Sequence, residues 1–483
     1  MANQGILAKA KPAATTNTVL YSAPINSSAS TVLNVTAQGG SNTTFDVALK
    51  DYDQKLTLDA NTYKLHKGDL VTGYRFTVGT AIPATAGFTS SQQFESDDKE
   101  KKVKFESFYI PTYTEIFVKK FAIRQIAIES ITGTFAVGET VVKGSGGNTA
   151  TATVYAVGTG VIHIGPTTLA GSGAEFAAGD SVTASGGATA TISSGGVGTA
   201  GNEFCFSTTT AGGTYNMYLG TAITNFKDRA YRFNVADASM SGLLFKISDK
   251  ENGEWGADNT FGTSDDNTEY TTGKTTNGTA GSSGAYVQYD WSANNALGGV
   301  MYYYEGTTGT AANAVYGGSD RFITLSTNYT YTDFYVYDVE GTWVNSTDSF
   351  TTGGTTYTVT GQTAGPYGYI KGWSGTTAYV VKGTNSADFA NSDTFQDVPA
   401  LNTATRSTAT VSSVGTATNA YETQDLLRKD NAITANTTVE IKSLVVGPGQ
   451  RLLVENNDAD CSFTLIGFED ASTAFTTRVF GSS

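Results

Sequence analysis

The chain has 483 residues, 30 Lys and Arg against 44 Asp and Glu, and a formal net charge of −14. Two histidines, two cysteines and four methionines leave no room for a multi-histidine metal centre, a disulfide framework or a Cys-rich cluster. The acidic balance speaks against nucleic acid as a partner, and no run nears the ~18 apolar residues of a membrane span. Length sets an expectation of roughly three or four domains at about 100–200 residues each. Charged residues are 15% of the chain, so the surface must be built largely from Thr, Ser, Asn and 55 Gly.

In chain order, Met1–Lys11 lacks the apolar run of a secretory leader. Thr31-Val-Leu-Asn-Val-Thr-Ala37 and Thr44-Phe-Asp-Val-Ala-Leu-Lys50 alternate apolar and polar residues. Successive strand side chains face opposite ways, so such runs predict half-buried β-strands. Lys64-Leu-His66-Lys-Gly68 reads as a turn. Gln92–Lys104 is the densest charge cluster and reads as a solvated loop or hairpin tip, with a partner-docking arm as the sharper reading. Phe135-Ala-Val-Gly-Glu-Thr-Val141 is echoed by Phe176-Ala-Ala-Gly-Asp-Ser-Val182 and, more loosely, by Phe389-Ala-Asn-Ser-Asp-Thr-Phe395. The first two run through Gly146-Gly147 and Gly186-Gly187 into Thr149–Val154 and Thr189–Ile192; the third leads to Thr408–Val411. This predicts a small repeated β-module with an apolar anchor, a turn at Gly138, Gly179 or Ser392, and an acid at the turn exit. His163, in Val161-Ile-His-Ile164, reads as a histidine on the polar face of a short strand or hairpin.

Asp249-Lys-Glu-Asn-Gly-Glu254, Asp258-Asn259 and Asp265-Asp-Asn267 gather oxygen ligands in one Gly-rich stretch. Ca²⁺ takes six to eight oxygens, yet the Asp-x-Asp-x-Asp-Gly order is missing, so the reading is an acidic surface loop with a calcium site as the alternative. Met301-Tyr-Tyr-Tyr304 and Tyr329–Tyr337 read as cross-strand packing. Pro366-Tyr-Gly-Tyr-Ile370 and Trp373 read as the exposed aromatics. Phe334–Val339 and Cys461–Phe468 are again period two, and helical periodicity is confined to Tyr421–Arg428 and short loops. Whether Cys205 meets Cys461 stays open. No residue is assigned a catalytic, cofactor-binding or metal-binding role, and no cofactor is expected. With His66 and His163 alone available and no marked carboxylate pair, the chain reads as no enzyme.

Three patterns resemble modules of tailed-bacteriophage virion proteins, marine and cyanophage ones above all. Gly133-Thr-Phe135 through Val154 is similar to their Gly/Thr-rich repeats. Tyr231–Ile247, Glu269–Val287 and Val300–Tyr304 resemble a cupredoxin-like module of phage tail proteins. Such a site holds copper with two His, a Cys and a weak Met. Here Gly242-Leu243-Leu244 stands for Gly-His-Pro and Glu305 for the Cys, and Gly306–Gly318 holds no His or Met, so the resemblance implies the sandwich without the metal. Val19–Pro24, Ser30–Thr36 and Thr44–Ala48, with Leu426–Asn436, Val439–Ile441, Leu452–Asn456 and Cys461–Gly467, look like the two halves of a phage β-sandwich.

The resulting expectation is an all-β chain of several β-sandwich modules in series. Residues 1–130 form an N-terminal sandwich region completed by 421–483. Residues 131–202 form the repeat module, 203–318 the cupredoxin-like sandwich, and 319–420 a further β-module with the degenerate repeat. The resemblance implies a virion structural protein, placed in the tail as baseplate, fibre or tail decoration. A capsid decoration or head-fibre protein, and a carbohydrate-binding host-recognition adhesin, are the alternatives. The implied partners are other virion proteins and further copies of the chain in the particle, with a host-surface glycan for the adhesin; nucleic acid and membrane are not among them.

Overall fold

A computed structural model describes residues 4–24, 27–59, 70–71, 74–89, 92–220, 223–294, 296–307, 319–363, 365–383, 386–396, 408–415 and 420–472. About 56% of the chain is strand and about 4% helix, in several separate sheets, so the all-β expectation is met. Two compact units divide it: residues 1–110 with 330–483, and residues 111–329. The divisions therefore fall at 110/111 and 329/330, where the sequence reading placed boundaries at 130/131 and 318/319. The strand Thr114–Thr132 runs straight across 130/131, because its two halves serve two different cores.

In the first unit the chain ends interleave. One sheet has the order Gln4–Ala10, Cys461–Ala471, Ser27–Ala37, Thr438–Val446. Its mate has the order Thr18–Ser22, Arg451–Asn456, Thr43–Lys50, Leu426–Ile433. Ser27–Ala37 pairs with Ala471–Cys461 without a register break. Alternation then sends Leu33, Val35, Phe463 and Leu465 of one sheet, and Phe45, Val47, Leu452 and Val454 of the other, into one core. Phe45 and Phe463 meet edge to face at 6.1 Å and tie the two sheets together.

The rest of this unit is two six-stranded sheets. One runs Ser349–Thr352, Thr355–Thr363, Tyr74–Pro83, Thr330–Glu340, Lys102–Phe108, Gln93–Glu95. Phe76, Phe88, Phe94, Phe105, Phe334 and Phe350 fill its core ring against ring. The other runs Thr394–Gln396, Thr408–Val414, Gln54–Leu58, Thr377–Lys382, Gly368–Ser374, Leu70–Val71. The charge cluster Gln92–Lys104 is a hairpin between Gln93–Glu95 and Lys102–Phe108. Lys101 and Lys104 are spent on Asp348 and Asp338, at 2.7 and 2.8 Å. Tyr421–Arg428 is a single 3₁₀ turn, Thr423–Asp425, followed by strand.

In the second unit the 19-residue strand Thr114–Thr132 is the spine, roughly 60 Å long at about 3.3 Å per residue. Its first half pairs with Gly201–Ser207 and, in parallel, with Ala230–Asn234. Its second half pairs with Val161–Ile164 and Thr189–Val197. The first half shares a core with the four-stranded sheet Ile223–Phe226, Phe322–Ser326, Val300–Glu305, Phe245–Ser248. The second half closes the repeat module around Ile126, Phe135, Val154, Phe176 and Ile192.

All three repeats fold alike. Ala136, Ala177 and Ala390 donate their N–H to the carboxylates of Glu139, Asp180 and Asp393 at 2.8, 2.6 and 2.6 Å. Gly138, Gly179 and Ser392 adopt φ of 88, 87 and 71° and donate to the carbonyls of Val154, Ile192 and Val411. The same three partners donate back to Glu139, Asp180 and Asp393. Phe135, Phe176 and Phe389 are buried as anchors. The first two repeats pair about a local dyad, since the equivalent residues Val142 and Thr183 face each other.

The left-handed turn gives a paired test. A Cβ on Gly179 meets nothing within 4 Å, so Gly179→Ala reports backbone strain alone and costs about 1 kcal/mol. Ser392→Gly removes that strain at the cost of chain entropy and stabilises by about 0.5 kcal/mol. Chemical-denaturant midpoints that move in the same direction for both variants would refute a shared turn constraint.

Candidate functional site

The module whose sequence resembles a cupredoxin contains Leu243, Leu244 and Glu305. Phe245–Ser248 and Val300–Glu305 pair antiparallel, with Phe245 opposite Glu305. Glu305 is fully buried. Its Oε1 accepts the N–H of Leu244 at 2.8 Å, the N–H of Thr307 at 3.1 Å and the Thr307 hydroxyl at 2.5 Å. Its backbone carbonyl accepts the Trp255 indole N–H at 3.1 Å. The carboxylate thus fastens two backbone segments. Leu243 and Leu244 carry no side-chain donor for a metal, and Glu305 offers a carboxylate where a blue-copper site takes a thiolate, so these residues do not fit that ligand set although Glu305 Oε2 has no hydrogen-bond partner among the described residues. A cavity of about 480 Å³ lies at this end of the module, with Leu243, Leu244, Ala280 and Val287 in its wall beside Lys246 and Lys274. Both amines already hold carboxylates, Lys246 that of Glu254 at 2.7 Å and Lys274 that of Glu269. Of the positions Gly306–Gly318, residues 308–318 lie outside the described residues.

The acidic loop splits into separate jobs. Asp258, Asp265 and Asp266 bring carboxylate oxygens within 4.8 Å of one another. Glu254 turns away to Lys246, Asp249 takes the Asn267 amide, and Asn259 takes the Asn252 amide at 2.6 Å. Asp266 Oδ2 accepts the N–H of Gly262 and Thr263 at 2.5 and 3.0 Å. Asp265 accepts the Thr263 hydroxyl and the Asp258 N–H, which hold its carboxyl below the usual range. The loop is cross-tied by its own donors, in keeping with the surface-loop reading. Excess calcium is therefore expected to leave the melting temperature unchanged, whereas a concentration-dependent rise in a thermal melt would establish a cation site.

His163 corrects the sequence reading. The side chain is buried, at 7% exposure. Its strand is hydrogen-bonded on both sides, to Thr114–Thr132 and to Asn148–Gly158. The face opposite Ile162 and Ile164 is covered as well, with Arg321 and Asp320 close enough to act on the ring. Nearby, Arg321 makes a buried two-point pair with Glu203, Nε to Oε2 at 3.1 Å and Nη2 to Oε1 at 2.8 Å. Burial pushes the Glu203 carboxyl up against the pull of Arg321. Nothing in the sequence links residues 203 and 321. Cys205, buried in the second unit, has its thiol pushed well up by burial and Glu203. Cys461 sits in the chain-end sandwich, and both cysteines are free. His66 lies outside the described residues.

The aromatics are also redistributed. Tyr367 and Tyr369 are 1 and 2% exposed, contrary to the expectation of exposure. They pack with Tyr335, Tyr337 and Leu70 in a cluster of their own. Alternation alone does not say which face of a strand is wet when both are covered. The Trp373 side chain lies outside what is described. Tyr303, Tyr304, Tyr331 and Phe334 are buried, as cross-strand packing requires. An open groove of about 500 Å³ was not visible in the sequence. Tyr52 and Tyr379, 4.9 Å apart and edge to face, line it with Asp51, Gln424, Asp425 and Gln450. Burial, Glu422 and Asp425 push the Tyr52 hydroxyl up to about 12. Two half-buried rings with amides and carboxylates around them can pack a polyol face and hydrogen-bond its hydroxyls.

Comparison with protein-family models, with curated proteins and with solved structures returned no match.

The buried imidazole sets an acid limit. Burial first, then Arg321, lowers the His163 pKa from its ordinary 6.5. Above pH 6.5 neither folded nor unfolded chain binds this proton. Below it the unfolded chain takes the proton first, so the contribution to stability is lost as pH falls from about 6.5 through the folded value. Urea midpoints at pH 7.5 and 5.0 should differ more for the native chain than for His163→Gln; equal differences would refute this.

Proposed function

We propose that this chain is a non-enzymatic structural protein of a tailed-phage virion, tail-associated as a baseplate, fibre or tail-decoration protein, acting through protein–protein assembly. The observation that carries the reading is the set of three sequence resemblances. Lys101, Lys104, Lys143 and Lys246 are held by carboxylates of the same chain, and exposed strand edges offer backbone hydrogen bonds to neighbouring subunits. A capsid decoration or head-fibre role uses the same means at another place in the particle.

The groove at Tyr52 and Tyr379 favours a second reading, an adhesin that recognises a host-surface glycan. Mass spectrometry of purified particles tests the first reading: the chain is expected among the virion proteins, and its absence would sink the proposal. A glycan array tests the second, with binding expected to vanish in Tyr379→Ala. A blank array for the unaltered chain would remove it.

A further inference from the structure

The chain-end sheet has two edge strands, Gln4–Ala10 and Thr438–Val446, each hydrogen-bonded on one side only among the described residues. Both are exposed or half-buried along their length except at Leu444 and Val446, which face the core. An edge of this kind is a template for another strand.

The two edges match in three ways. The first is register. Transverse rows of the sheet read Gln4–Phe468–Ser30–Val445, Gly5–Gly467–Thr31–Leu444, Ala8–Leu465–Leu33–Ile441, Lys9–Thr464–Asn34–Glu440 and Ala10–Phe463–Val35–Val439. Leu7 on one edge and Lys442-Ser443 on the other are the irregular positions, and both fall between the second and third of these rows. Each edge is therefore interrupted at the same level, with regular runs of three residues on either side in Gln4–Ala10 and of four and three in Thr438–Val446. The second is charge. Lys9 ends one row and Glu440 the opposite end of the same row, so a copy added in line would bring the two together across the junction. Among the described residues Glu440 otherwise meets only the exposed Lys442 of its own strand, at 3.2 Å. The third is apolar surface. Ile6, Ile466, Phe468 and Val445 are 65, 39, 53 and 56% exposed. Phe468 and Val445 share a row, and Ile466 lies opposite Ile6. A neighbouring sheet would cover the ends of this patch.

We propose that these edges are the two halves of one interface between copies of this chain: Gln4–Ala10 of one copy adds antiparallel to Thr438–Val446 of the next. All neighbours in the sheet are already antiparallel, so the addition continues its order. The contact is head to tail and leaves a free edge at each end, so it propagates into a ring or a filament rather than stopping at two. This deepens the assembly reading above, and the two fail separately. Particle composition tests where the chain goes, and solution mass tests how it meets itself.

Sedimentation velocity of the full chain should show concentration-dependent species larger than a dimer. Lys9→Glu and Glu440→Lys should each weaken assembly about tenfold, as an attractive cross-strand pair becomes repulsive. Mixing the two single variants should restore assembly, as should the double variant, with unchanged circular dichroism as the control for folding. A chain that stays monomeric at every concentration would overturn the proposal. So would assembly that stops at a dimer, or that ignores both charge reversals. If deleting residues 473–483 turned a monomer into an oligomer, the occupant would be the chain's own tail, and the proposal would again fall.

Discussion

Everything in the first unit depends on the hydrogen bonding of Ser27–Ala37 to Cys461–Ala471. That pairing runs eleven residues without a break in register. A shift by one residue would turn Leu33, Val35, Phe463 and Leu465 out to solvent and bring Asn34 and Thr464 in. The core formed with Phe45, Val47, Leu452 and Val454 holds the register, and the register holds the two chain ends together. The two six-stranded sheets of the unit, and the whole of residues 111–329, are insertions between these strands in the topological sense. Joined ends tolerate such insertions because the connection points stay fixed whatever is placed between them.

Polar groups that alternation cannot explain have specific duties. Glu305 ties down the backbone at Leu244 and Thr307. Glu203 and Arg321 neutralise each other inside the second unit. The acids of the three repeated turns cap the N–H of Ala136, Ala177 and Ala390. In each case a carboxylate stabilises a particular backbone path or a buried cation.

Much of the architecture was legible in the sequence because it rests on local chemistry. Thr44–Lys50 and Cys461–Phe468 are strands because their period is two. The repeats could be aligned because a left-handed turn needs Gly138 and Gly179, and an acid one residue later has an N–H to cap. Ser392 shows that the turn persists where glycine is replaced. What was not legible depends on partners far away in the chain. Tyr367 and Tyr369 look wet until the cluster of Tyr335 and Tyr337 is placed over them. His163 looks like a surface histidine until its strand is found between two others. The Tyr52–Tyr379 groove exists only once distant strands have been brought together. The long strand Thr114–Thr132 hid a boundary, since a single alternating run gives no sign that its halves belong to different cores.

The interleaving of the chain ends also sets a timetable. A ribosome adds roughly 5–20 residues per second, so Ser27–Ala37 emerges long before Cys461–Ala471 exists to pair with it. Residues 111–329 are contiguous and can fold as soon as they are made. The outer sandwich must wait, with its first strands lacking their neighbours, until the last of its strands is released. Synthesis of Cys461–Ala471 therefore acts as a latch: a chain broken off before it leaves Leu33 and Val35 without their paired strand, where folding helpers and proteases can recognise it as unfinished.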